Sequence, residues 1–151
     1  MRLTRQSTYA IRTLIYCAVN DPGLSRIADI AKAHSISELF LFKLIKPLVE
    51  AGLIETVRGR KGGIRLGRPA AEITLLDTIK LTEDSFAMAE CFEGGSDVIC
   101  PLADNCDLNG ALREALNAFF DVLDGYTIAD LSDKRLSLRQ RLGLESMLLA
   151  N

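Results

Sequence analysis

The sequence predicts a mainly α fold with a small β-hairpin wing, a winged helix-turn-helix followed by a long C-terminal helix. Three observations carry that expectation. Two short amphipathic patterns flank the tight turn "AHSIS", as in a helix-turn-helix. The stretch "LIETVRGRKGGIRLGR" sets two β-rich runs around a glycine-bearing centre, as a hairpin does. From Asp107 to about Tyr126, apolar residues recur at alternating spacings of four and three, a coiled-coil-like seam.

The elements follow in order. A first helix is expected over 4–20, with Ala10, Ile11, Leu14, Ile15 and Ala18 on one face, until Asp21-Pro22-Gly23 stops it. A second, over about 25–34, takes Ser25 as its cap and turns Ile27, Ala28, Ile30 and Ala31 inward. A third, over about 37–51, is capped by Ser37 and closed near Gly52. Strands at 53–57 and 64–66 pair across "RGRKGG", and Pro69 ends the unit. Ile73, Leu75, Leu76 and Ile79 then begin a short helix that leads through "TEDSFAMAE" to a cysteine-bearing loop. In the long helix, Leu108, Leu112, Ala115, Phe119, Val122 and Tyr126 form the seam, with Leu116, Phe120 and Leu123 as a second stripe beside it. A face this wide suits packing on its own domain and on a partner at once. The plainer alternative is packing within one chain. The divisions expected are 1–80 for the winged helix, 81–106 for the cysteine loop region, 107–131 for the long helix and its end, and 132–151 for a flexible tail.

A chain of 151 residues fits one domain with at most an appendage. Its net charge of −2 hides an asymmetry. Residues 1–68 carry 12 Lys/Arg against 5 Asp/Glu, whereas residues 69–151 carry 6 against 15, so a balance of +7 meets one of −9. A basic N-terminal half points to a polyanion-binding face on that part alone. No apolar run is long enough for a membrane span, and "MRLTRQSTYAIR" lacks a secretory core, so a cytoplasmic location is expected. No nucleophile–base arrangement or phosphate loop is present, which argues against an enzyme and against a small-molecule substrate. The lone histidine, His34, reads as a surface or turn residue.

"VRGRKGGIRLGR" holds Arg58, Arg60, Lys61, Arg65 and Arg68 and no acid. At a hairpin tip such residues suit a narrow minor groove, whose negative potential attracts arginine. The third helix would present Ser37, Glu38, Phe40, Leu41 and Lys43 to the major groove of a double-stranded operator. Phe40 has two readings, contact with a thymine methyl or burial in the core. Lys43, Lys46, Arg5 and Arg12 suit phosphate contacts. The bland alternative is a winged helix used for protein contact, its basic hairpin merely solvated.

Cys91, Cys100 and Cys106 are separated by eight and five residues, around Gly94-Gly95 and Pro101. That is not the paired spacing of a zinc ribbon. Thiolates on such a loop suit zinc or an iron–sulfur cluster, and a disulfide within the trio is a further alternative after oxidation. Cys17, inside the first helix, reads as a buried and inert thiol.

The N-terminal "RLTRQSTYAIR", the stretch "GLIETVRGRKGGIRLGRPAAEITLLDTI" and the trio in "ECF…CPL…C" together resemble the Rrf2 family of bacterial regulators, over most of the chain up to about residue 131. "SELFLFK", "SFAMAECFE" and "ALNAFFDVL" are most similar to its rhizobial iron-regulator branch. The resemblance implies a homodimeric winged-helix repressor with Cys91, Cys100 and Cys106 as iron–sulfur ligands, a 4Fe–4S cluster being favoured over 2Fe–2S. It implies that Arg58 enters the minor groove and that the helix from Asp107 is the dimerisation helix. It also implies a mechanism in which iron supply, read through the cluster, sets the grip on iron-uptake operators. Two departures qualify it. Asn109 stands where a cluster-biogenesis relative has a histidine, and Ser7-Thr8 stand where nitric-oxide-sensing members place an aspartate. Those departures fit the iron regulator better than a nitric-oxide or redox sensor, which stays as the second reading. A metal-free or zinc-stabilised winged helix acting through a partner protein is the third.

Overall fold

The computed structural model describes residues 2–89, 92, 100 and 106–144. Helix α1 (Arg5–Asn20) starts at Thr4, whose hydroxyl accepts from the Ser7 amide, satisfying one of the unpaired donors of the first turn. Its inner face buries Ala10, Leu14, Cys17 and Val19. Asn20 ties the following turn, its side-chain amide donating to the Leu24 carbonyl and to the Ser25 hydroxyl.

Ser25 does not cap the second helix. It exchanges two 2.8 Å backbone hydrogen bonds with Ile64 and so adds a bridge to the wing. Helix α2 (Ile27–His34) starts from Arg26 with no side-chain cap. Sequence reasoning took the serine nearest the helix start as its cap, but a backbone partner 39 positions on was invisible to that rule. Ile30 and Ala31 of α2 are buried, and Ala28 is exposed. The turn passes through Ser35 in the left-handed region, φ 53°. Ser37 then caps α3 (Glu38–Glu50), accepting from the Phe40 amide at 3.2 Å.

Strands β1 (Ile54–Val57) and β2 (Gly63–Leu66) pair antiparallel, with Thr56 opposite Ile64. Gly63 is required by closeness, since a Cβ there would lie 2.7 Å from the Ser25 carbonyl oxygen. Gly59, at φ +118°, supplies the turn. After a 3-10 turn at Ala70–Glu72 comes α4 (Leu75–Thr82). A reciprocal capping box of Thr74 and Asp77 fixes its start.

Helix α5 (Asp107–Asp124) has no fully buried residue. Its inner stripe meets α4 and the segment after it. Phe120 lies edge-on to Phe86 with centroids 4.9 Å apart, and the Lys80 ammonium sits 5.5 Å from the Phe120 ring. The outward seam stays open, with Leu108, Val122 and Tyr126 exposed and Leu112 and Phe119 half-buried. Tyr126 lies just past the helix end.

Residues 132–144, expected to begin a flexible tail, are mostly helical and return to the core. Helix α6 (Ile128–Ser132) buries Ile128 completely, and α7 (Arg135–Arg141) leads to a fully buried Leu144. The cause is polar as well as apolar. Arg135 Nε and Arg139 Nη1 both donate to the Val19 carbonyl, at 3.1 and 3.0 Å, supplying a partner for the end of α1. The core is therefore closed by both ends of the chain, Leu14, Ile30, Leu41, Leu48 and Leu53 packing with Ile73, Ile128 and Leu144.

Candidate DNA interface and cysteine site

Helix α3 buries Leu41, Leu44, Ile45 and Leu48. The opposite face therefore carries Glu38, Leu39, Phe42, Lys43 and Lys46, all exposed. Of the residues expected to face a groove, Glu38 and Lys43 are on this face. The Ser37 hydroxyl is engaged as the helix cap. Phe40 is turned away from the exposed face. Its half-buried ring packs edge-on to Tyr9 at 5.8 Å, with the Arg5 guanidinium 5.9 Å from it. Leu41 is fully buried. Of the two readings open for Phe40, the packing against Tyr9 favours the core side, and Phe42 is the aromatic of "LFLFK" that is exposed. The signal that separates them is the phase of the buried positions 41, 44, 45 and 48, which places 42 rather than 40 outside.

The hairpin tip carries Arg58, Arg60 and Lys61, all exposed. Arg65 lies further down β2, where its Nε meets Glu55 Oε2 across the strand pair at 2.9 Å. That hydrogen bond and charge hold the Glu55 carboxyl below its ordinary range. Arg68 lies 3.8 Å from Asp77. Among the described residues, the wing cations without an ion-pair partner are thus those at its tip.

His34 ends α2 with its ring edge-on to Tyr9 and Tyr16, at 6.4 and 6.3 Å. It stands half-buried at the turn of the helix pair, and its buried Nε2 has no hydrogen-bond partner among the described residues. Burial, helped by the Arg12 charge, pushes its pKa down, so the ring stays neutral.

Of the cysteines, Cys100 and Cys106 are unpaired and half-buried. Cys106 is the residue from which α5 starts, and its side chain makes no capping bond. Cys91 lies outside the described residues, as do the neighbouring carboxylates Glu90, Glu93, Asp97 and Asp104. Among the described residues, no three His, Cys, Asp or Glu side chains converge on one point. Cys17 is buried and its thiol is pushed up to about 12 by burial, which keeps it protonated. The thiol donors of Cys100 and Cys106 suit an iron–sulfur group in softness, and the amino end of α5, entered from Cys106, favours negative charge.

Asn109 accepts from Arg113 Nε at 2.6 Å, and the same guanidinium stacks 4.8 Å from the Phe92 ring. Ser7 is buried, donates to Glu83 and accepts from Thr82 at 2.8 Å. Glu83 also accepts from the Thr4 amide at 2.7 Å. Burial works against the charge of Glu83, but these donors outweigh it and hold its pKa below the usual value.

Comparison with known proteins fits this layout. A family model described as Rrf2, "Iron-dependent Transcriptional regulator", matches residues 3–134. Protein aau3 of Rhizobium meliloti (strain 1021) is 64% identical over 145 residues, covering 96% of this chain and 94% of that one. The HTH-type transcriptional regulator NsrR of Geobacillus kaustophilus is 45% identical over 143 residues, covering 94% and 97%. The oxidized form of CymR from Staphylococcus aureus superposes with a TM-score of 0.69 at 31% identity, covering 87% of this chain and 96% of that one.

Proposed function

The chain belongs to the Rrf2 family of DNA-binding transcriptional regulators, and from that premise we propose that it is an iron-responsive repressor of iron-uptake genes, close in role to the rhizobial iron regulator RirA. It works as a cytoplasmic homodimer on a double-stranded operator. Among the described residues no helix is long and apolar enough to cross a membrane, and the relatives with functional names are transcriptional regulators rather than enzymes. The winged helix of residues 1–80 grips DNA, with Glu38 and Lys43 in the major groove and Arg58, Arg60 and Lys61 at the minor groove. Ser37 orients α3, and Arg65 adds charge at the base of the wing. The seam of Leu108, Leu112, Ala115, Phe119, Val122 and Tyr126 pairs with its copy.

One observation carries the reading. Cys106 is covalently the first step into α5, the helix whose outward seam is left uncovered. Cys91, Cys100 and Cys106 would hold an iron–sulfur cluster, 4Fe–4S favoured. When bound, that cluster makes the order of the segment depend on iron supply. Cys106 would then anchor the start of α5, Lys80 and Phe86 would brace its inner stripe, and the seam would set the distance between two α3 helices. A bias of a few kcal/mol is enough to change operator occupancy about a hundredfold.

The test combines visible absorbance of anaerobically purified protein with operator binding before and after an iron chelator. A brown protein that loses absorbance and grip together supports the reading. Cys100→Ala should stay a folded dimer and lose tight binding. A Cys100→Ala variant that holds the operator as the parent does under iron-replete conditions overturns it, and a colourless zinc protein points to the metal-free or zinc-stabilised alternative. A nitric-oxide-responsive role has one observation in its favour. Glu83 brings a carboxylate to Thr4 and Ser7, beside the position where such members carry an aspartate.

A further inference from the structure

We infer that Leu39 and Phe42 form an apolar reading face on α3 that recognises thymine methyl groups in the major groove. The inference rests on the DNA-binding reading of α3 and goes beyond it, to what the helix distinguishes. Leu39 is 69% exposed and Phe42 56%, among the largest apolar exposures in the winged helix. They are three residues apart and so share one face of the helix, opposite Leu41, Leu44, Ile45 and Leu48.

The surroundings point to DNA as the occupant. Lys43 and Lys46 stand on the same exposed face, Arg26 lines the groove between Phe42 and the hairpin, and Arg58, Arg60 and Lys61 lie at the wing tip. Of the nearby acids, Glu50 lies 3.9 Å from Lys46 and Glu55 is paired with Arg65. Glu38 remains, at the amino end of α3. An apolar patch ringed by cations repels most protein surfaces of like charge and suits a polyanion. In the major groove the thymine C5-methyl is the one apolar group a base pair presents, and it distinguishes T·A from the other pairs. Phe40, the other aromatic of the segment, is committed to Tyr9, so it does not compete for this role.

The experiment uses the full-length protein, purified anaerobically, and a duplex it enriches from a randomised DNA pool. Binding is measured to that duplex and to copies in which single thymidines are replaced by deoxyuridine, which removes only the methyl. At about 0.8 kcal/mol for a buried methyl-sized group, the parent should bind about fourfold more weakly for each contacted methyl removed. Phe42→Ala and Leu39→Ala should bind the thymine duplex more weakly and lose that discrimination at their own positions. Both side chains are exposed, so thermal unfolding should stay as in the parent, and either variant alone suffices if the other fails to fold. Equal parental binding to thymine and uracil duplexes overturns the inference while leaving DNA binding intact. So does full discrimination retained by both variants, or a change in oligomeric state in its place. Failure to enrich any duplex instead overturns the DNA-binding reading.

Discussion

Leu108→Ala tests whether the outward seam of α5 is the dimer contact. Leu108 is 65% exposed in the single chain. The substitution removes three carbons. At about 0.8 kcal/mol per buried carbon, scaled by that exposure, the loss is about 1.5 kcal/mol per copy. A two-fold interface uses the same patch on both subunits, so the loss counts twice, about 3 kcal/mol, or somewhat over a hundredfold in the dimer dissociation constant. Val122, 60% exposed, loses two carbons in Val122→Ala, which should weaken the dimer by about thirtyfold. Sedimentation across a concentration series reads both constants. Far-ultraviolet circular dichroism of the monomer should be unchanged, because no α5 side chain is fully buried within its own chain. An unchanged dimer constant in both variants, or loss of helicity on dilution, would refute the assignment of this seam to a partner.

Three further predictions concern the grip and the thiols. Arg58→Ala and Lys61→Ala should each weaken binding and lower the slope of log affinity against log salt by about one, read by filter binding over a potassium chloride series. Arg65→Ala should do less, since Glu55 already holds that side chain; a salt-insensitive complex would count against the whole interface. Stability should fall in alkali. Burial raises Cys17 from its usual 9.0, and Tyr16 from 10.0, each to about 12. The unfolded chain therefore loses these protons first, and stability is lost as pH rises through that window, with a slope from Cys17 approaching about 1.4 kcal/mol per pH unit. Urea unfolding midpoints from pH 8 to 11 check this, and Cys17→Ala should flatten the lower part of the fall. Alkylation at pH 8 of folded protein first treated with an iron chelator should modify Cys100 and Cys106 and spare the buried Cys17, as peptide mass spectrometry can show; rapid labelling of Cys17 would contradict its burial.

Local rules made most of the winged helix legible. Hydrophobic phase located α1 and α3, the serine before "ELFLFK" marked the cap of α3, and the glycine-bearing hairpin located both strands. The misreadings came where a distant partner decided the outcome. Ser25 pairs with Ile64, and Arg135 and Arg139 reach back to Val19 across more than 110 positions. No periodicity in "KRLSLRQRLGL" announces that a carbonyl at the end of α1 needs those guanidiniums. The half-burial of His34 at its turn has a related cause, since its ring neighbours Tyr9 and Tyr16 belong to another helix. On α3 the information was present. Counting the buried phase through Leu48 places Phe42 outside and Phe40 inside, which a reading of the amino-terminal turn alone did not separate. At the cysteine site, spacing leaves zinc, an iron–sulfur cluster and a disulfide open, and convergence of three thiols is a tertiary property that spacing does not contain.

The joints in the molecule bear on how a change at Cys100 and Cys106 would reach DNA. Distorting α3 means repacking Leu41, Leu44 and Leu48, which are at most 3% exposed, and a close-packed core resists such shifts by several kcal/mol. The contact between α5 and the winged helix is softer. It includes an edge-on ring pair and a cation over a ring, with no fully buried α5 side chain, and such contacts are worth about 1 kcal/mol each. A shift at the start of α5 therefore moves the helix against an otherwise rigid body. Because α4 packs on α1, α3 and α5, that body carries α3 with it. In a dimer joined through α5, the quantity altered is the separation of two intact α3 helices, which must match half-sites about 34 Å apart. Ligand state would then act on the pairing of half-sites, while each half-site contact keeps its own affinity.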